Sequence, residues 1–242
     1  MADVPMLELR GVVAGYGRLT ILHGVDLAIE RGRLTTLIGA NGAGKSTVFK
    51  AIFGLVPLAS GEIRFEGERI DALEPRERLR RGIVFVPQGR NLFPRMTVRQ
   101  SLELGGVTMG DAALLARRMA AVLERFPRLA QRADQQASTL SGGEQKQLEI
   151  GRALLLDPRL LLIDEPSIGL APRIVADVFA LLRQLTDAGV AVAMVEQNVK
   201  SALLASHRAV ALEQGRVLLV DDADVMLDDA RVKAMFLGGH AA

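Results

Sequence analysis

The 242-residue sequence has no cysteine, no tryptophan, a single tyrosine and only three histidines. Without cysteine there is no disulfide and no thiolate metal site, and the absence fits a reducing compartment. The scarcity of aromatics leaves few platforms on which nucleic-acid bases stack. Basic side chains outnumber acidic ones by only two, so composition does not favour a nucleic-acid binder. No uninterrupted apolar run approaches the length that spans a bilayer. No charged-then-apolar leader opens the chain, where Asp3 and Pro5 sit early. The expectation is a soluble, cytoplasmic protein. What is plentiful is apolar side chains, 49% of the total, enough for one sizeable α/β core with a small satellite.

Two kinds of strand are legible. Leu7-Glu8-Leu9, Val25 to Ile29 and Glu62 to Glu66 alternate apolar with polar residues, as half-solvated strands of an antiparallel sheet do. Leu34 to Ile38, Gly82 to Val86, Leu160 to Ile163 and Val190 to Val195 are β-prone or continuously apolar, the pattern of strands covered on both faces in a parallel sheet. From Thr97 to Ala153 the spacing turns helical. Ala112 to Phe126 predicts an amphipathic helix capped by Asp111 and ended by Pro127. Further helices are expected with one apolar face through Ile174, Val178, Leu181, Leu182 and Leu185, then over Val199 to Ala205 and Asp221 to Phe236.

Between a buried strand and a helix start lies Gly39-Ala40-Asn41-Gly42-Ala43-Gly44-Lys45-Ser46-Thr47, which meets the pattern G-x-x-x-x-G-K-[ST] at every fixed position. Glycines at 39, 42 and 44 open backbone conformations closed to other residues, so that successive N–H groups face inward as an anion nest at a helix N-terminus. Lys45 is expected to reach the β- and γ-phosphates, and the Ser46 hydroxyl to hold Mg²⁺. The bland alternative is a flexible glycine-rich turn, but the strand–loop–helix context favours a nucleoside-triphosphate site.

Leu160 to Ile163 runs directly into Asp164-Glu165. An acid at the carboxyl end of a parallel strand beside a phosphate loop is where Mg²⁺ needs a ligand. Asp164 is expected to serve it through a coordinated water, and Glu165 to polarise the water that attacks the γ-phosphate. These acids would alternatively cap the helix beyond Pro166. Leu140-Ser141-Gly142-Gly143-Glu144-Gln145 reads first as an ordinary N-cap. Ser141 with the N–H groups of Gly142 and Gly143 also makes a second phosphate-binding surface, implying a site closed between two copies.

With these motifs in this order the chain resembles the ABC-type ATPases, the nucleotide-binding subunits of membrane transporters. The resemblance covers essentially the whole length. It implies an α/β P-loop NTPase core with an antiparallel β subdomain (residues 1–88 and 154–242) and a helical subdomain (89–153). In site residues it implies Tyr16 for stacking on the adenine of ATP, Gly39 to Thr47 for its phosphates, and Gln88 as a glutamine near Mg²⁺ or the attacking water. Ser141, Gly142, Gly143 and Gln145 then form the signature, with Asp164 the metal-side acid and Glu165 the catalytic glutamate.

Two departures narrow the branch. Gln197 stands where most members carry a switch histidine; an amide donates or accepts a hydrogen bond but does not become a cation near neutral pH. In the loop Ser167 to Pro172, after Glu165, Ala171 stands where an aspartate is common in the family. His23, His207 and His240 fall outside all motif positions and are expected in surface or packing roles. Val86 to Arg90, Phe93 to Thr97, Gly169 to Pro172, Glu196-Gln197-Asn198 and Phe236 to Gly239 together resemble the second ATP-binding subunit of branched-chain amino acid importers. A urea importer is a related alternative, and a soluble ABC ATPase working on DNA or ribosomes a more distant one. The resemblance implies transmembrane permease partners, a second ATP-binding subunit in a homo- or heterodimer, an extracytoplasmic solute-binding protein and residence at the cytoplasmic membrane face. An exposed apolar patch near Leu92, Phe93 and Met96, within Arg90 to Arg99, is expected to meet the permeases.

Overall fold

A computed structural model of the chain describes residues 4–89 and 91–236. Arg90, the segment Leu237 to Gly239 and His240 lie outside the described residues. The chain opens with β1 (Leu7–Tyr16) and β2 (Leu19–Ile29), an antiparallel hairpin, followed by β3 (Leu34–Ile38). Helix α1 (Lys45–Phe53) begins at Gly44, in the left-handed region at φ 101°, and stops at Gly54, likewise left-handed at φ 86°. Then come β4 (Leu58–Phe65), β5 (Glu68–Arg69), α2 (Pro75–Arg80) and β6 (Ile83–Val86).

Among the described residues, four α-helices separate β6 from the next strand: α3 (Val98–Gly105), α4 (Ala112–Arg125), α5 (Pro127–Gln131) and α6 (Gly142–Leu154). Asp111 caps α4 as the sequence implies, its side chain accepting from the Leu114 N–H. Pro127 does more than end α4: it occupies the first turn of α5, where a missing N–H costs nothing. The remainder is β7 (Leu160–Asp164), α7 (Pro172–Asp187), β8 (Ala191–Val195), α8 (Val199–Ala205), β9 (Arg208–Glu213), β10 (Arg216–Asp222), α9 (Ala223–Asp228) and α10 (Ala230–Phe236). The single helix expected over Asp221 to Phe236 is therefore corrected. Asp221 and Asp222 end a strand, and Asp229 separates two short helices, its carboxylate accepting from the Arg231 N–H at 2.8 Å.

Two sheets result, one of order β2-β1-β4-β5 and antiparallel, the other of order β10-β9-β3-β8-β7-β6, with β9, β3, β8, β7 and β6 parallel. Because side chains alternate across a strand, each central strand feeds two cores. Leu160 and Leu162 join α1 and the antiparallel sheet, while Leu161 and Ile163 join α3, α4, α6 and α7. Phe49 of α1 is fully buried and meets Phe85 edge-on, ring centroids 6.2 Å apart. Truncating Phe49→Ala is expected to cost about 3–5 kcal/mol of unfolding free energy, measured by chemical denaturation. A loss below about 1 kcal/mol would mean that α1 is not anchored through this contact.

Register brings the loops that carry the candidate site together. Leu37 and Asp164 both pair with Val195, so β3, β8 and β7 end side by side, and β6 ends next to β7. The loops that follow these four strands open on one edge, the carboxyl side where α/β sheets receive ligands.

Candidate nucleotide site

The loop after β3 folds tightly over the end of β9. A Cβ built on Gly39 would lie 2.4 Å from the Leu212 carbonyl oxygen, so no side chain fits there. Lys45 is only 6% exposed, and its Nζ donates to the carbonyls of Gly39 (2.7 Å) and Ala40 (3.0 Å). Burial lowers its proton affinity, opposed by the nearby carboxylates of Glu165 and Asp164. With Ile21, the segment Asn41 to Thr47 lines a cleft of about 410 Å³, Ala43 excepted, and across it stand Gln88, Glu165 and Gln197. Ala43 is buried behind the loop and accepts from the Gly215 N–H.

Asp164 is buried at the end of β7. Burial pushes its carboxyl up, while a hydrogen bond from Ser46 pulls it down, the negative charge of Glu165 adds to the rise, and Lys50 and Lys45 oppose it. Its Oδ1 has no hydrogen-bond partner. A buried, unpartnered carboxylate oxygen beside a serine hydroxyl fits a hard cation that takes oxygen ligands.

Glu165 takes a left-handed backbone conformation, φ 49°, which a glutamate adopts only under constraint. Its N–H donates to the Val195 carbonyl at 2.9 Å. Both carboxylate oxygens are taken up by amides: Gln88 Nε2 donates to Oε2 and Gln197 Nε2 to Oε1, each at 2.6 Å. The loop after β6 and the loop after β8 thus grip one carboxylate.

Tyr16 ends β1 and is 47% exposed, and Lys50 of α1 stands 5.7 Å from its ring centroid. The ring therefore borders the helix that grows out of the phosphate loop.

The other motif lies apart. Ser141 caps α6, and Glu144 returns the bond in a reciprocal capping box: Ser141 N and Oγ both donate to Glu144 Oε2 at 2.9 Å. Burial alone would raise Glu144, yet these bonds and Arg132 bring it below the usual carboxylate range. Gly143 has no room for a side chain, since a Cβ would sit 2.7 Å from Ile174 Cγ2. Gln145 braces the preceding loop, its amide donating to the Ala137 and Leu140 carbonyls. Ser141 and Gly143 line a second cleft of about 530 Å³ with Arg125, Arg128 and Arg173, and it shares no lining residue with the first.

Several contacts near these motifs carried no signal in the sequence. Asn91 N donates to Glu149 Oε1 (2.9 Å), Arg152 donates to the Asn91 carbonyl (2.6 Å), and buried Lys146 pairs with Glu149 Oε2 (2.6 Å). The loop after β6 is thereby fastened to α6. The expected apolar patch is smaller than its composition implied: Phe93 is 59% exposed, whereas Leu92 and Met96 are half-buried. Leu92 packs on the core, and Met96 is pinned by its carbonyl accepting from the Ala137 N–H. His207 is structural, its Nδ1 accepting from the Leu34 N–H at 2.9 Å. A larger cleft of about 610 Å³ elsewhere is lined by Arg80 and by three arginines paired with acids, Arg81 with Glu68, Arg118 with Asp157 and Arg159 with Glu66.

A phosphate loop at a helix start, faced by an acid pair at the end of β7, one strand removed from β3 in the same parallel sheet, defines a P-loop ATPase. Residues 22–168 match the family described as ABC transporter, and the chain belongs to that family as an ATP-binding, ATP-hydrolysing subunit. It is 45% identical over 234 residues to the high-affinity branched-chain amino acid transport ATP-binding protein BraG of Pseudomonas aeruginosa, covering 97% of this chain and 100% of that one. It is 36% identical to an Archaeoglobus fulgidus protein named "Probable branched-chain amino acid transport ATP-binding protein LivF", covering 96% and 99%. Among solved structures, an ABC-transporter cassette in its ADP conformation superposes with a TM-score of 0.88 at 27% identity, covering 98% of this chain and all of the other. A dimeric, post-hydrolysis cassette bound to ADP and Pi superposes at 0.78 with 26% identity, covering 90% and 99%. No helix among the described residues is long and apolar enough to cross a membrane.

Proposed function

We propose that this chain powers an importer of branched-chain amino acids from the cytoplasmic face of the membrane, hydrolysing ATP between two subunits arranged head to tail. The observation that carries the two-subunit site is the separation of the two clefts: Lys45, Glu165, Gln88 and Gln197 share one, while Ser141 and Gly143 line the other. A single chain thus supplies one half of each of two sites, and its partner supplies the complementary halves. The dimeric structure of a related cassette bound to ADP and Pi supports this arrangement.

In this reading the N–H groups of Gly42, Ala43, Gly44, Lys45, Ser46 and Thr47 cradle the phosphates, with Asn41 at the rim. Lys45 exchanges its two carbonyl partners for β- and γ-phosphate oxygens, and Tyr16 stacks on adenine. The partner subunit's signature serine and glycine N–H groups complete the γ-phosphate shell, with Gln145 holding that loop in shape. Ser46, Asp164 and Gln88 would hold Mg²⁺, which when bound neutralises charge on the transferring phosphoryl group. Glu165 orients and polarises the attacking water once an amide releases one of its oxygens. Gln197 makes this release by exchanging one hydrogen bond for another while itself staying neutral, so no imidazolium takes part.

The helical subdomain is assigned to residues 89–153, and the core to 1–88 with 154–242. A cleft of about 140 Å³ lined by Phe85, Pro87, Asn91, Gly105, Arg152 and Leu156 lies between them, and exposed Phe93 follows Asn91 closely in the chain. These suit docking of a short permease helix that inserts one side chain there. Because Asn91 is fastened to α6, displacement there would carry to Ser141 at the start of the same helix.

The solute assignment rests on the two named relatives and on the Glu196-Gln197-Asn198 branch pattern. Cells lacking the chain are expected to lose uptake of labelled leucine, isoleucine and valine while urea uptake persists. Unchanged leucine uptake, or loss of urea uptake instead, rejects the assignment.

A further inference from the structure

Glu196 follows β8 and is 1% exposed, yet nothing in the hydrolytic cycle above uses it. A carboxylate removed from water is costly unless its oxygens are hydrogen-bonded. Burial pushes this one up, and a set of donors pulls it back. Its Oε1 accepts from the Ser167 N–H at 2.9 Å, and its Oε2 from the Ser167 hydroxyl at 2.7 Å and the Gln197 N–H at 3.2 Å. The donors come from two loops. Ser167 stands two residues after Glu165, and Gln197 is the amide that holds Glu165 Oε1.

The loop beginning at Ser167 is otherwise held by Leu170, which packs on the helical core and whose N–H donates to the Ser167 carbonyl. Ile168 is exposed, Gly169 is left-handed at φ 72°, and Ala171, the N-cap of α7, has no side chain with which to cap the helix. An aspartate at that position would tie the loop to the helix start. In this chain the loop is anchored at its other end, through Ser167.

We propose that Glu196 is a positioning residue: by bridging Ser167 and Gln197 it fixes the distance between the loops after β7 and β8, and so the placement of Glu165. The assignment rests on Glu165 being the residue that polarises the attacking water. Glu196 touches neither nucleotide nor water in this account, and the phosphate loop does not depend on it. Losing the bridge therefore lowers turnover and leaves ATP binding in place.

The test measures kcat and KM for MgATP, with the melting temperature, on the full chain assembled with its partner subunits. The variants are Ser167→Ala, Glu196→Gln, the two combined, and Glu165→Gln as reference. Ser167→Ala removes one hydroxyl and leaves the backbone bond, so folding is retained. Glu196→Gln keeps one acceptor and loses the charge. Each single variant is expected to lower kcat about tenfold, part of the roughly hundredfold that a 1 Å misplacement costs. KM is expected to stay within about twofold. The double variant is expected to be no worse than the more damaged single one, since both break the same bridge. Full kcat in both single variants beside an inactive Glu165→Gln overturns the positioning role alone, whatever the melting temperature does. A KM that rises as far as kcat falls overturns it too, by locating the damage in binding. An active Glu165→Gln overturns the catalytic reading on which the proposal rests.

Discussion

Glu165→Gln is expected to reduce phosphate release by about two to four orders of magnitude, the range that a positioned general base supplies, while nucleotide binding survives. The side chain keeps its length and polarity but loses the ability to take a proton. A second effect follows from the geometry. In the parent chain both carboxylate oxygens accept from amides, Gln88 on one side and Gln197 on the other, at 2.6 Å. The substituted amide keeps one accepting oxygen and gains an –NH₂ that only donates, so its –NH₂ end would face one of those –NH₂ groups, and that glutamine must turn away. Phosphate release and binding of a non-hydrolysable ATP analogue, measured on the same assembled complex, check both halves. Turnover within about tenfold of the parent would remove Glu165 from the catalytic role.

Lys45→Met is expected to weaken binding of the same analogue by about a hundredfold, corresponding to the roughly 1.5–3 kcal/mol of a hydrogen bond to a charged group. Methionine preserves much of the length of the stem but abandons the Gly39 and Ala40 carbonyls and brings no charge to the phosphates. Buried lysine is held below its usual proton affinity by desolvation. An incoming phosphate supplies opposite charge that offsets this desolvation, so the interaction strengthens when the ligand arrives. Calorimetric titration reads the loss directly. Equal affinity in parent and variant would mean that the phosphates are held by the backbone nest alone.

The parts of the site legible in the sequence are those whose chemistry is local. Gly39 to Thr47 announces itself because contiguous N–H groups and one lysine make the anion nest. The capping pattern at Ser141 and the acids ending Leu160 to Ile163 are equally short-range. The long helix α7 and the capped start of α4 followed from periodicity and Asp111. The β9–β10 hairpin gave no comparable signal. Ala209 to Leu212 is buried on both faces and so lacks alternation, while β10 ends in two acids that read as a helix start. Leu92 and Met96 were expected on the surface because composition does not reveal that a loop is pinned by backbone bonds such as Ala137 N–H to the Met96 carbonyl.

By itself, then, the sequence determined the phosphate loop, the acid pair, the capped signature helix and the neutrality of the switch position, all properties of neighbours along the chain. Tertiary structure alone decided that Gln88 and Gln197, 77 and 32 residues from Glu165, grip its two oxygens. It alone decided that Glu196 reaches back 29 residues to Ser167. The reason is the order of parallel strands β3-β8-β7-β6, set by burying both faces of each strand at once. Residues distant in the chain become neighbours only after that sheet has assembled, and no local pattern records which strand ends will meet.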